Sequence, residues 1–119
     1  MDKKSLGSYG EKKAAQFLRR NGYKILDMNY SCRFGEIDII AAKGNFVAFV
    51  EVKLRKNADF AEAREFVDRR KQQRILKTAQ FWLVENDSEL QPRFDVMEVY
   101  APGGLLGPVS INHIEDAFM

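Results

Sequence analysis

The chain has 119 residues, 45% hydrophobic, 30% charged and 12% aromatic, which is the size and make-up of one ordinary folded domain, far from disordered or collagen-like composition. Lysine and arginine total 19 against 17 acidic residues, a net charge of +2, too small by itself to establish a polyanionic partner, so the distribution of charge matters more than the sum. The single cysteine, Cys32, excludes an internal disulfide, the start "MDKKSLGSYGEKK" has no apolar signal core, and no apolar run nears the roughly 20 residues of a membrane span. A reducing cytoplasm and no membrane role are therefore expected.

Residues 1–119 are expected to form one domain. From Gly7 to Asn21 the pattern predicts a helix, with Gly10, Ala14, Phe17 and Leu18 as its apolar stripe and Asn21-Gly22 as its stop. Glu11 falls beside that stripe, at the rim of the core. Three strands follow, from Tyr23 to Tyr30, Gly35 to Ala42 and Phe46 to Lys53, rich in β-branched and aromatic residues. Between the last two, Gly44 and Asn45 both tolerate positive φ and suit a two-residue hairpin turn.

That turn predicts a register. If Lys43 pairs with Phe46, Ala42 faces Val47, Ile40 faces Phe49, Asp38 faces Glu51 and Glu36 faces Lys53. Strand alternation then puts the four charged side chains on one face and Ile37, Ile39, Val50 and Val52 on the other, apolar one.

The stretch from Phe60 to Asn86 reads as helix, with room for a break near Asp68, and Ile75, Ala79, Trp82 and Leu83 form its core stripe. Arg70, Arg74 and Lys77 stack along a different side, with Arg69 and Lys71 near by. Phe81 and Trp82 are expected in the core rather than as base-stacking platforms. "RFDVMEVY", Arg93 to Tyr100, predicts a further strand. "APGGLLGP" predicts a loop, and "VSINHIEDAF" a strand and a short helical turn. Neither Cys32 nor His113 is expected to take part in chemistry.

The facing acids carry the functional argument. Two carboxylates about 5 Å apart repel by roughly 3 kcal/mol at an effective dielectric of about 20, so a hard divalent cation is one natural occupant of the space between them. Lys53, two residues after Glu51 on the same face, is placed to orient or deprotonate an attacking water. The bland alternative is an exposed acidic pair at a strand end, and for the Arg70, Arg74, Lys77 stripe a solvated helix face.

"GEID", followed after twelve residues by "EVK", resembles the active-site motif of the PD-(D/E)XK nuclease superfamily, with Ile37 where that motif carries proline. Along nearly the whole chain, "GSYGEKKAAQFLRRNGYKIL…GEIDII…FVEVKLR…RFDV" is similar to the YraN-like family of small bacterial proteins. The resemblance implies a restriction-endonuclease-like α/β fold with a central mixed sheet flanked by helices, related to archaeal Holliday-junction resolvases. It implies that Glu11, Asp38 and Glu51 ligate Mg²⁺ or Mn²⁺ and that Lys53 is the catalytic lysine. Glu36 becomes an acid supporting the metal site or facing substrate, and Arg55 the basic residue that follows the motif.

The function expected from all this is a metal-dependent endonuclease, or a nuclease-like protein binding nucleic acid, with DNA, branched DNA included, as the partner and with Arg55, Arg70, Lys71, Arg74 and Lys77 meeting phosphates. The alternative is a non-catalytic binding module that keeps the fold, and behind it a protein-interaction adaptor. A homodimer would suit a symmetric branch, although no residue marks an interface.

Overall fold

Glycine and asparagine at the tip of the first hairpin set the centre of the sheet. In the computed structural model, which describes residues 3–55, 67–104 and 107–118, Gly44 takes φ +59°, and Lys43 pairs with Phe46, Ala42 with Val47 and Ile40 with Phe49, as the turn predicts. Helix α1 is Lys3–Arg20, followed by strands β1 (Lys24–Cys32), β2 (Gly35–Lys43) and β3 (Phe46–Arg55), helix α2 (Arg69–Glu85), and strands β4 (Gln91–Tyr100) and β5 (Ser110–Ile114). The expected start of the long helix, 60–66, lies outside the described residues. After β5 the chain makes a turn at Glu115 and Asp116, not a helical one.

The five strands lie in chain order, β1-β2-β3-β4-β5. Pairing is antiparallel except for the parallel β3–β4 pair, which requires a crossover, and α2 is part of it. The fold is thus a mixed α/β sheet flanked by two helices. Among the described residues no helix is long and apolar enough to cross a membrane.

One face of the sheet packs Ile39, Ala41, Ala48, Val50, Met97 and Val99 against Ala14, Ala15 and Leu18 of α1. The other packs Ile37, Ile40, Val47, Phe49, Phe94 and Val96 against Ile75, Ala79 and Trp82 of α2. Trp82 stands edge-on to Phe49, with ring centroids 5.8 Å apart. The α2 stripe is therefore core as its spacing predicts, whereas Phe81, off that stripe, is 41% exposed, which corrects its assignment to the core.

Two expectations about the hairpin also need correction. Ile37 and Ile39 belong to opposite faces, so the alternation breaks at Asp38. On β1, Met28 pairs with Ile39 and Tyr30 with Ile37, and Asn29 between them takes φ +54°, a conformation that asparagine tolerates better than most residues. Moreover, the β2–β3 ladder ends at Ile39 and Val50, and Glu36 pairs with Ser31 on β1 rather than with Lys53. The hairpin opens like a fork at the acidic residues.

On the α1 face a separate charged group joins β4 to β5. Buried Asp95 receives both an Nε and an Nη2 bond from Arg93 (2.9 and 2.8 Å), the Asp116 N–H (3.0 Å) and His113 Nε2 (2.7 Å). Arg93 also donates to the Tyr23 hydroxyl. His113, packed against Phe17 and Tyr23, is thus part of a structural clasp.

Candidate functional site

The fork is where the sheet offers unpaired backbone, and Asp38 fills it. Its Oδ2 accepts the Val52 N–H at 2.8 Å, so the carboxylate reaches sideways between the strands instead of standing on one face. A charged acceptor of this kind contributes about 1.5–3 kcal/mol and satisfies a donor that the ladder has abandoned.

Glu51, only 8% exposed, stands on the α2 face in line with Val47 and Phe49. Lys71, from the first turn of α2, donates to its Oε1 at 2.7 Å, and Lys53 Nζ lies 3.7 Å from the same oxygen. The start of α2 is fixed by Asp68, whose side chain accepts the Lys71 N–H at 2.9 Å as an N-cap. Gly35 fixes the distance between β2 and α2. At φ +151°, it sits so close to the helix that a Cβ there would come within 3.3 Å of Thr78 Oγ1. Between them lies a cleft of about 460 Å³ lined by Gly35, Glu36, Asp38, Glu51, Asp68, Arg70, Lys71, Arg74 and Ile75.

The electrostatics follow from this crowding. Burial, and then the charge of Glu51, pushes the Asp38 carboxyl up to about 7, against the opposing pull of the Val52 N–H and Lys71. Burial likewise raises Glu11, with Glu36 and Glu51 adding to the rise and a hydrogen bond from Asn29 offsetting part of it. Burial and a hydrogen bond shared with Lys71 hold Lys53 below the ordinary lysine range, although Glu51 acts in the other direction. For Lys71 the bond to Glu51 outweighs burial, and its ammonium is held above that range. Of the two amines, Lys53 is the one that gives up a proton more readily.

The structure therefore brings Asp38, Glu51 and Lys53 together, with Glu11 near enough to feel Glu36 and Glu51. It does not gather a finished cage: among the described residues no three acidic, histidine or cysteine side chains are grouped as a metal site. Glu36 is exposed and lines the cleft, as do Arg70 and Arg74. The expected basic row is divided. Lys71 lines the cleft and pairs with Glu51, and Lys77 lies 5.9 Å from the centre of the Phe34 ring, outside the cleft lining. Arg55 ends β3, half-buried in register with Tyr100.

One acid went unforeseen. Glu98, 2% exposed, is level with Lys53 in the β3–β4 register and accepts from the Tyr100 hydroxyl and Asn112 Nδ2, each at 2.8 Å. It extends the polar row along the α2 face. The signal was present in "VMEVY", where an acid interrupts an apolar strand just as Glu51 does in "FVEVK".

Comparison with known proteins places this arrangement among relatives. Residues 10–99, which include α1 from Gly10 onward, the fork, α2 and nearly all of β4, match the model of a family described as Uncharacterised protein family UPF0102. The chain belongs to that family. A UPF0102 protein of Caldanaerobacter subterraneus is 48% identical over 99% of this chain and 98% of its own length. Others, from Nocardia farcinica (44% identical, 98% of this chain and 91% of theirs) and Flavobacterium psychrophilum (40%, 95% and 92%), match almost end to end. The whole-chain similarity to YraN-like proteins is accordingly that of a family member.

Proposed function

We propose that this UPF0102 protein is a metal-dependent nuclease of restriction-endonuclease-like fold that hydrolyses phosphodiester bonds in DNA. The observation that supports this reading best is the convergence of the Asp38 and Glu51 carboxylates in the fork, beside a lysine whose ammonium is destabilised. Placing two acids so that one is driven to about 7 is costly for a structural element, and such perturbation is typical of working sites.

The donor set suits a hard cation in its chemistry, being carboxylate oxygens, and the cation place beside Glu51 is held by the Lys71 ammonium. Asp38 and Glu51, with Glu11 drawn in, would hold Mg²⁺ or Mn²⁺ once Lys71 gives way. Such an ion supplies neutralisation of phosphate charge and activation of water. The chain's own residues do the rest. Lys53, held below its ordinary range, takes a proton from the attacking water. Arg70 and Arg74, on the cleft wall, hold the flanking phosphates. Released from Glu51, Lys71 becomes a further cation for the nucleic acid.

A second reading has its own support. The Lys71–Glu51 pair already neutralises one acid, and the described residues form no three-ligand cage, as expected of a binding module that keeps the fold without the chemistry. Cleavage of labelled single-stranded, duplex and four-way-branched DNA with Mg²⁺, Mn²⁺ or EDTA, beside Glu51→Gln, separates the two. Metal-dependent cutting by the wild type, reduced at least a hundredfold in Glu51→Gln, is expected. Shifts of the same DNAs without cutting would leave the binding module.

A further inference from the structure

One surface of α2 has no part in the cleft or the core. Lys77, with Gln80, Phe81, Val84 and Glu85 lying three, four, seven and eight residues along from it on one side of the helix, forms with Phe34 a depression of about 630 Å³. Phe81 is 41% exposed and Val84 82%. The Phe34 and Phe81 rings stand 6.4 Å apart at 60° and make an aromatic notch. The Arg33 guanidinium lies 4.9 Å and the Lys77 ammonium 5.9 Å from the centre of the Phe34 ring. Apolar aromatic surface with two cations over the Phe34 ring, and with the one carboxylate of its lining, Glu85, engaged by the Tyr30 hydroxyl, is complementary to a planar base attached to an anionic backbone.

The notch also continues the cleft. Phe34 directly precedes Gly35, and Lys77 follows Arg74 by one helical turn, so Arg70, Arg74 and Lys77 lead from one depression to the other. Asp38 is four residues from Phe34, at most about 14 Å along the chain. A strand whose phosphodiester lay at Asp38 would reach the notch within a few nucleotides.

We infer that the Phe34–Phe81 notch is a nucleobase site, which takes an unpaired base of the substrate while Arg33 and Lys77 meet the phosphates on either side of it. The inference rests on the nucleic-acid reading above and narrows it to substrates with single-stranded character next to the cleaved bond, since a base within a duplex is stacked on its neighbours and has no free face to offer.

The test is made in EDTA, at low salt, so that no cleavage intervenes. A short oligothymidylate carrying one 2-aminopurine, the same strand with abasic positions, and a blunt duplex are titrated with wild type, Phe81→Ala and Phe34→Leu. Wild type should quench the 2-aminopurine, and Phe81→Ala should relieve the quenching and weaken single-strand binding about tenfold. Phe34→Leu should weaken it less, duplex affinity should hold, and the abasic strand should bind wild type and Phe81→Ala alike. Equal losses for strand and duplex, or no loss in either variant, would overturn the inference. So would a dimer in sedimentation equilibrium that Phe81→Ala converts to monomer, because the notch would then hold a second copy of the chain. Absence of any nucleic-acid affinity would sink this site and the proposed function together, whereas single-strand binding indifferent to Phe81 would sink this site alone.

Discussion

Asp38 and Asp95 are both withdrawn from water, on strands of the same sheet with one strand between them, yet burial has opposite outcomes. Asp95 receives bonds from Arg93, His113 and the Asp116 N–H, and these outweigh desolvation and hold its carboxyl below the usual range. Asp38 is buried, feels the charge of Glu51 more than any other, receives the Val52 N–H, and is driven up to about 7. The difference teaches that a buried acid is defined by what answers its charge. Asp95 is answered in full within the chain. Asp38 is not, and that shortfall is what a ligand of opposite charge can use.

The contrast can be broken from either side. The largest effect expected is at the satisfied aspartate: Asp95→Ala should cost about 3–5 kcal/mol, because it leaves Arg93 only Tyr23 and the exposed Glu115 and unfastens β5 from β4. Urea denaturation measures this, and a loss below about 1 kcal/mol would show that the clasp contributes little. On the other side, Mg²⁺ at a hundred times its Kd should stabilise the wild type by about 2.7 kcal/mol, visible as a rise in Tm. The rise should vanish in Glu51→Gln and persist in His113→Gln. If Mg²⁺ left the wild type unmoved, both aspartates would be structural.

The smallest effect is in the pH profile, where the two aspartates have opposite signs. Asp38 has a folded value near 7, above its unfolded one. Its contribution is therefore fully present below about 4 and is lost as pH rises towards 7. Asp95, held low, contributes above its unfolded value and loses that contribution as acid is added. Subtracting the stability curve of Asp38→Asn from that of the wild type should leave a decline of about 1–2 kcal/mol between pH 4 and 7, allowing for partial exposure and coupling to Glu51. A flat difference curve would mean that Asp38 titrates in the folded protein as it does in water.

Much of this was legible in the sequence, and the failures have physical causes. Gly44-Asn45 determined the hairpin because few turns suit two strands of that twist, so the register held as far as Ile39 and Val50. It failed one residue later. Alternation assumes a regular ladder, and the positive φ of Asn29 on the neighbouring strand leaves no mark in "GEIDII" itself. Helical spacing puts Arg70, Arg74 and Lys77 on one side and Lys71 only near by, about a hundred degrees round from Arg70, and it does not reveal that this angle turns Lys71 to Glu51. Phe81 is apolar like its neighbour Trp82, but positions 75, 78, 79 and 82 already complete the buried stripe. The place of Glu98 beside Lys53 is not legible in the sequence, because only the parallel β3–β4 pairing creates it.

Gly35 has no charge to contribute and no proton to move, yet it governs the distance between the acids on the sheet and the cations on α2. Even alanine there would meet the Thr78 hydroxyl and require a backbone conformation that side chains disfavour. Thr78, on the stretch of α2 that also carries Lys71 and Arg74, would have to give by a few tenths of an ångström. Under the proposed nuclease function, a random mutagenesis screen would return position 35 alongside the carboxylates, and shrinking Thr78 would rescue its variants only in part, because the strain of a side chain at φ +151° remains.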